Sequence, residues 1–180
     1  MKVFFLSLAV CVSALCQSLA GESPKLPTHA PASLELPDQY DAPQRLAFPA
    51  TNVVVLTIAD KKGAKQIDGW VTALKSRYAG RIELRGLADV GGVPGFLRGK
   101  VRKHFKETRT YPVMMDWSGN VCAQFGYKKD VANILLLGRD GTIHARFTGA
   151  ATPAAIAEAV TALDKILLSP LKVTKIPTTP

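Results

Sequence analysis

The sequence predicts an α/β domain with a central mixed sheet, flanking helices and an antiparallel hairpin near its C-terminal end. Residues 53–58 form a short, largely β-branched apolar run, which is typical of a strand buried on both faces. Apolar side chains then recur at helical spacing over residues 67–78, so a helix should pack back on that strand. Residues 138–141 read Gly-Arg-Asp-Gly between two strand patterns, which indicates a hairpin.

The other elements can be predicted in chain order. Residues 81–87 alternate in polarity like a strand, and Pro94 opens a helix with Leu97, Val101 and Phe105 on its inner face. Five further pieces follow: a strand at 111–115, a turn at 116–120, a short helix at 121–125, and strands at 131–137 and 142–148 on either side of the hairpin turn. Thr152 and Pro153 supply the N-cap and first residue of a final helix.

Length, composition and the N-terminus predict one exported globular domain. The chain has 180 residues, of which 47% are hydrophobic and 21% charged, so it can bury one core. Lys2, an apolar run over residues 3–15 and the small residues Ser18 and Ala20 form the pattern of a signal peptide, predicted at residues 1–20. We therefore expect a soluble periplasmic or extracellular protein.

The expected organisation beyond the signal peptide has three parts. Residues 21–35 form a Pro-rich leader, residues 36–168 form the domain, and residues 169–180 form a flexible tail. The formal net charge of +9 favours contact with anionic surfaces.

Several short motifs resemble the thioredoxin-like superfamily, with a redoxin or peroxiredoxin-like layout. They are Asp38-Gln39, Val-Pro-Gly-Phe at 93–96, Tyr-Pro at 111–112, Asp116-x-x-Gly119, and Gly-Arg-Asp-Gly-Thr-Ile at 138–143 leading to Gly149-Ala-x-Thr-Pro153. The similarity is greatest to small exported thioredoxin-fold proteins of Gram-negative bacteria that lack Cys-x-x-Cys. It implies a thioredoxin-like fold over about residues 36–168, and because these motifs encode turns and caps, it implies little about activity.

The resemblance locates the redox position of the family, and this chain has no cysteine there. The tetrapeptide that matches Cys-x-x-Cys is Lys62-Gly63-Ala64-Lys65, and Ala132 stands where the family carries a cis-proline. Without a thiolate, dithiol–disulfide exchange at this turn is not expected. Lys62 and Lys65 are candidate anion-binding residues instead, although lysines on a turn are commonly just solvated.

Cys122 is the one nucleophile left after removal of residues 1–20, since Cys11 and Cys16 leave with the signal peptide. A helical turn would direct it inward beside Phe125, where a cysteine behaves as a small apolar residue. A reactive Cys122 would need a nearby cation to lower the pKa of its thiol, and Lys128 and Lys129 are the neighbours in sequence. Cys122 is therefore a weak catalytic candidate.

The helix after Pro94 carries an unusual concentration of positive charge. Its candidate binding residues are Arg98, Lys100, Arg102, Lys103 and Lys106, with His104 and Arg109 alongside. Arg98, Arg102 and Lys106 repel one another at four-residue spacing, which a solvated helix face tolerates. An acidic envelope protein or an anionic membrane surface would be a suitable partner. Nucleic acid is not expected, because no aromatic stacking platform is apparent.

Two functional hypotheses remain open from the sequence. The first is a non-catalytic binding or accessory protein of the cell envelope that uses the thioredoxin-like fold without redox cysteines. The alternative is a divergent peroxiredoxin-like or thiol-dependent antioxidant oxidoreductase that uses Cys122. No metal site is predicted, because the three histidines are far apart and lack ligand spacing, and no cofactor is expected.

Overall fold

The computed structural model describes residues 26–169. The strands are β1 Ser33–Pro37, β2 Pro43–Ala47, β3 Val53–Ala59, β4 Ile82–Asp89, β5 Val113–Asp116, β6 Asn133–Leu137 and β7 Ile143–Thr148. The α-helices are α1 Ile67–Arg77, α2 Arg98–Thr108, α3 Asn120–Gln124 and α4 Pro153–Leu168. Short 3-10 turns at Gly63–Gln66 and Gly95–Leu97 lead into α1 and α2.

Five strands form a mixed sheet in the order β5-β4-β3-β6-β7. β3 pairs in parallel with β4, and β4 with β5, whereas β6 runs antiparallel to both β3 and β7. The helical connections between the parallel strands and the hairpin between β6 and β7 confirm the α/β prediction. Every residue of β3 is buried, as expected of a strand covered on both faces.

The hairpin of β1 and β2 is held to the sheet by the Asp38-Gln39 motif. The carboxylate of Asp38 accepts hydrogen bonds from the Tyr40 and Ala42 backbone at 2.7 and 3.0 Å, which fixes the turn. The amide of Gln39 donates to the Tyr111 carbonyl and accepts from the Val113 N–H, both at 2.9 Å. The motif therefore docks the hairpin on the start of β5.

The predicted inner stripe of α1 is confirmed. Ile67, Trp70 and Leu74 are buried against the sheet, and α4 adds Leu163 and Ile166 to the same layer. The Trp70 indole N–H donates to the Gly149 carbonyl at 2.9 Å. Thr152 caps α4 by accepting from the Ala155 N–H, so the predicted helix start is also confirmed.

α2 differs from the predicted helix in how deeply it packs. Leu97, Val101 and Phe105 do face the sheet, but they are only half-buried, and α2 has no fully buried residue. The sequence predicts which side of α2 faces inward. It does not predict that the helix stands away from the sheet, because that distance depends on the residues beneath it.

Three of the expected segments fall wholly or partly outside the described residues. The signal peptide at 1–20 lies outside them, as do residues 21–25 of the leader and 170–180 of the tail. Within the leader, β1 already begins at Ser33, before the expected domain start at residue 36. Among the described helices, none is long and apolar enough to cross a membrane.

Candidate functional site

The turn after β3 is held in shape by the carboxylate of Asp60. Its Oδ1 accepts hydrogen bonds from the Lys62 and Gly63 N–H groups at 3.0 and 2.9 Å, and its Oδ2 accepts from the Asp130 N–H at 2.8 Å. Burial alone would raise the pKa of Asp60, but these hydrogen bonds outweigh it and lower that pKa. One charged side chain thus joins the turn to the segment before β6.

The same two segments meet at Gly63 with almost no space between their backbones. A Cβ atom added to Gly63 would lie 2.3 Å from the Val131 carbonyl oxygen. The Ala132 N–H donates to Gln66 Oε1 at 3.0 Å, and Ala132 is fully buried. Ala132 therefore lies against the turn. The resemblance to thioredoxin-like proteins implies the same arrangement, in which the residue at the cis-proline position faces the turn at the cysteine positions.

Lys62 and Lys65 lie on the exposed side of this turn. The Lys62 Nζ forms an ion pair with Asp130 at 3.0 Å, and both side chains are well exposed, so the pair contributes little to stability. Lys65 is exposed in the 3-10 turn. This turn thus presents two ammonium groups to solvent.

Cys122 is inaccessible and poorly suited to form a thiolate. The residue is 0% exposed and packs with Phe125 and Leu137 in the layer between the sheet and the β1–β2 hairpin. Burial, and then the negative charges of Asp116 and Asp89, raise the pKa of its thiol well above the ordinary value. If Lys128 and Lys129 activated Cys122, they would lower the pKa of its thiol. Because that pKa is raised, the hypothesis that these lysines activate Cys122 is wrong.

Asp116 organises the turn that leads into α3 and places Cys122. Its Oδ1 accepts from the Ser118 hydroxyl at 2.7 Å and the Gly119 N–H at 2.9 Å, while its Oδ2 accepts from the Cys122 N–H at 2.8 Å. Burial would raise the pKa of Asp116, but the hydrogen bonds from Cys122 and Ser118 lower it overall. The Asp116-x-x-Gly119 motif is therefore a structural turn.

The outer side of α2 is more ordered than a plainly solvated face. The guanidinium groups of Arg98 and Arg102 lie 5.0 and 5.4 Å from the Trp117 ring centre. Arg102 also pairs with Asp41 at 2.5 Å. We call this region the α2 basic surface, defined by Arg98, Arg102, Lys106, Tyr40 and Trp117.

Aromatic groups complete the α2 basic surface. The Lys106 Nζ lies 5.3 Å from the Tyr40 ring centre. Tyr40 is 56% exposed. The Nε1 of Trp117 is buried and has no hydrogen-bond partner among the described residues. The cations of α2 are evident in the sequence, whereas no local pattern indicates that Tyr40 and Trp117, each in a turn, lie beside them.

The other two candidate cations of α2 lie apart from that surface. Lys103 pairs with Glu107 at 3.9 Å on the exposed side of the helix. Lys100 instead borders a cleft between α2 and the sheet, together with His104. The candidate binding cations of α2 thus lie in three places: on the α2 basic surface, on the exposed side at Lys103, and beside the cleft at Lys100.

The cleft, which we call the sheet–α2 cleft, has a volume of about 520 Å³ and opens beside the turn after β3. Its lining is mainly apolar and includes Ala59, Ala88, Val93, Leu97, Val101 and Phe105. It exists because α2 stands away from the sheet. No sequence motif indicated it, since it depends on the spacing of elements distant in the chain.

Among residues 26–169, no three His, Cys, Asp or Glu side chains could together hold a metal ion.

Comparison with known proteins identifies the fold and nothing finer. No protein-family model matches the chain, and no curated protein matches it in sequence. Solved structures do match. A proposed thiol:disulfide interchange protein DsbE from Chlorobium tepidum aligns with a TM-score of 0.62 and 18% identity, covering 79% of this chain and 99% of its own.

Two further solved structures come from other organisms. The exposed lipoprotein thioredoxin Etrx1 of Streptococcus pneumoniae aligns with a TM-score of 0.56 and 17% identity, covering 72% of this chain and 98% of its own. Peroxidoxin BcpB of Mycobacterium tuberculosis gives 0.52 and 22%, covering 79% and 97%. The chain therefore has the thioredoxin-like fold that the sequence predicts, and its structural neighbours are thioredoxin-fold redoxin proteins.

Replacing Asp116 should remove stability that depends on its charge. We expect Asp116→Asn to lower the free energy of unfolding at pH 7 by about 2 kcal/mol, since an amide NH₂ would face the Cys122 N–H. Because folding lowers the pKa of Asp116, its contribution is complete above the unfolded pKa of about 3.9 and is lost as pH falls through the folded value. Urea unfolding at pH 7, 4 and 3 measures this.

The difference between wild type and Asp116→Asn should therefore shrink on acidification. Glu158→Gln, which neutralises an exposed carboxyl group on α4, serves as control and should change stability little at any of these pH values. A constant difference between pH 7 and pH 3 would show that the charge of Asp116 is not what stabilises the turn.

Adding one methyl group at Gly63 should force apart the two segments that it joins. We expect Gly63→Ala to destabilise the fold by about 2–3 kcal/mol, because the new Cβ meets a backbone carbonyl that cannot rotate away. Gly99→Ala is the matched control, since the space around Gly99 in α2 is open, and it should be neutral or slightly stabilising. Equal urea midpoints for wild type and Gly63→Ala would contradict the close contact.

Proposed function

We propose that this protein is an exported thioredoxin-fold binding protein of the cell envelope that recruits an acidic partner protein and carries out no thiol chemistry. The observation that carries the proposal is that lysines stand at the turn where redox-active members of the superfamily have cysteines. Lys62 and Lys65 occupy the cysteine positions, and the remaining thiol, Cys122, is fully buried with a raised pKa. A group that is neither exposed nor ionised cannot attack a disulfide or a peroxide.

Export rests on the N-terminal pattern of Lys2, the apolar run at 3–15 and the small residues before residue 21. The name of Etrx1, an exposed lipoprotein thioredoxin, agrees with a thioredoxin fold used outside the cytoplasm. The redox names of the neighbours do not extend to this chain, because its matching turn has no cysteine.

The α2 basic surface supports recognition of a protein. Arginine and large aromatic residues dominate the binding energy of protein interfaces, and here Arg98 and Arg102 are held in place over the Trp117 ring. Ordered guanidinium groups can bind carboxylates in two-point geometry with less loss of side-chain entropy. An acidic protein surface therefore suits this surface better than a diffuse layer of lipid headgroups, which needs only unoriented charge.

Absence of thiol chemistry can be tested directly. We expect the protein lacking residues 1–20 to show no disulfide reduction and no thiol-dependent peroxide turnover above the uncatalysed rate, and Cys122→Ser to behave identically. Turnover that disappears in Cys122→Ser would replace the binding proposal with the antioxidant alternative.

The interface can be tested with a photo-crosslinking residue at Tyr40, which is exposed and lies beside Lys106 on the α2 basic surface. Arg98→Glu with Lys106→Glu should abolish crosslinking to the partner protein and reduce its affinity at least tenfold, by reversing two charges that face it. Lys129→Glu with Lys165→Glu is the control, because it changes net charge equally at exposed residues outside α2.

The crosslinking experiment should be run beside a binding assay with vesicles that contain anionic phosphatidylglycerol. Salt-sensitive binding to these vesicles, without a crosslinked protein, would assign the surface to membrane attachment instead. Equal loss of crosslinking in both double variants would show that overall charge rather than the α2 basic surface drives binding.

A further inference from the structure

The sheet–α2 cleft has the size and floor of a ligand site. Its volume of about 520 Å³ lies within the range of about 300–1,000 Å³ typical of small-molecule sites. The floor is built from small residues, Ala59, Gly86 and Ala88, so that no large side chain fills the space below α2. The roof is the half-buried apolar side of α2, at Leu97 and Val101.

A second cavity extends the cleft along β4. It measures about 300 Å³ and shares Thr57 and Tyr111 with the sheet–α2 cleft. The larger cavity borders the second half of β4 and the smaller one the first half, at Ile82 and Leu84. The two cavities therefore follow one another along the strand, with Tyr111 lining both, and we call them together the slot.

Cationic side chains outnumber anionic ones in the lining of this slot. Asp60 and Asp89 also line it and keep their negative charge, but their oxygens are directed at protein donors: Asp60 at three backbone N–H groups, and Asp89 at the Gly91 N–H and the Tyr127 hydroxyl. Two of the lining cations are likewise paired, Arg85 with Glu83 and Arg109 with Asp68.

Three lining lysines remain without an ion-pair partner among residues 26–169, namely Lys61, Lys75 and Lys100. Lys61 follows the C-terminal end of β3. Lys100 lies in the first turn of α2, the helix that the connection from the C-terminal end of β4 leads into. Because β3 and β4 are parallel, these two lysines stand at one end of the slot. An anionic head group there would satisfy them while its apolar chain followed β4.

We propose that the sheet–α2 cleft binds a long-chain monocarboxylate of the fatty-acid class, with its carboxylate at Lys61 and Lys100 and its chain over Ala88 toward Tyr111. The site does not include the α2 basic surface, since none of Arg98, Arg102 and Lys106 lines the cleft. Both the apolar length of the slot and its unpaired positive end are needed for this ligand.

The test uses the whole chain without residues 1–20, titrated with palmitate below its micelle concentration in a calorimeter. We expect one palmitate per protein. Lys61→Ala with Lys100→Ala should weaken binding at least tenfold, because it removes two charge-assisted contacts. Leu97→Trp should abolish binding by filling the roof of the cleft from a half-exposed position that the fold tolerates. Lys103→Ala, at a residue that does not line the cleft, should bind like wild type.

Hexadecanol serves as the neutral ligand of equal chain length and should bind at least tenfold more weakly than palmitate. Equal affinity for the alcohol, equal loss of binding in Lys103→Ala, or no palmitate binding by the folded protein would each overturn the proposal.

Unfolding midpoints establish that each variant is folded. If Leu97→Trp is not folded, the lysine variants and the alcohol still test the proposal. Arg98→Glu with Lys106→Glu should retain palmitate binding, which separates this site from the α2 basic surface.

Discussion

The contact between Gly63 and the backbone at Val131 and Ala132 constrains the rest of the fold. It fixes the start of α1 against the start of β6, and Asp60 reinforces it with hydrogen bonds to both segments. Trp70 and Ile134 can share one core layer only because these two element starts are held together. The requirement is one of packing and involves no sulfur chemistry, so a chain with Lys62 and Lys65 on this turn can adopt the thioredoxin-like fold.

α2 is the element that this constraint does not hold. The core layers contain fully buried residues from α1, α3 and α4, whereas α2 has none and covers a cleft. Its closely spaced cations repel one another, at a cost of about 0.2–0.5 kcal/mol for each pair one turn apart. Stacking on Trp117 and the ion pair with Asp41 offset that repulsion on one side. The helix thus keeps a charged outer side without deep burial of its inner side.

The sequence predicts those parts of the structure that depend on neighbours along the chain. The helical spacing of Ile67, Trp70 and Leu74, the Gly-Arg-Asp-Gly turn and the Thr152 cap each encode a local conformation, and each forms as predicted. The position of α2 and the partners of its cations depend on residues far away in sequence. Arg102 meets an aspartate 61 positions earlier, and no local pattern can specify such a pair.

The two sides of α2 belong to one weakly anchored helix, and this links them energetically. A ligand in the sheet–α2 cleft would contact Leu97 and Val101, while a partner on the α2 basic surface would contact Arg98 and Arg102, one residue further along the same helical turns. A helix with few buried side chains has a low free energy of local displacement. A shift of α2 on filling of the cleft that changes affinity at the α2 basic surface requires, by linkage, that the partner change affinity in the cleft by the same factor.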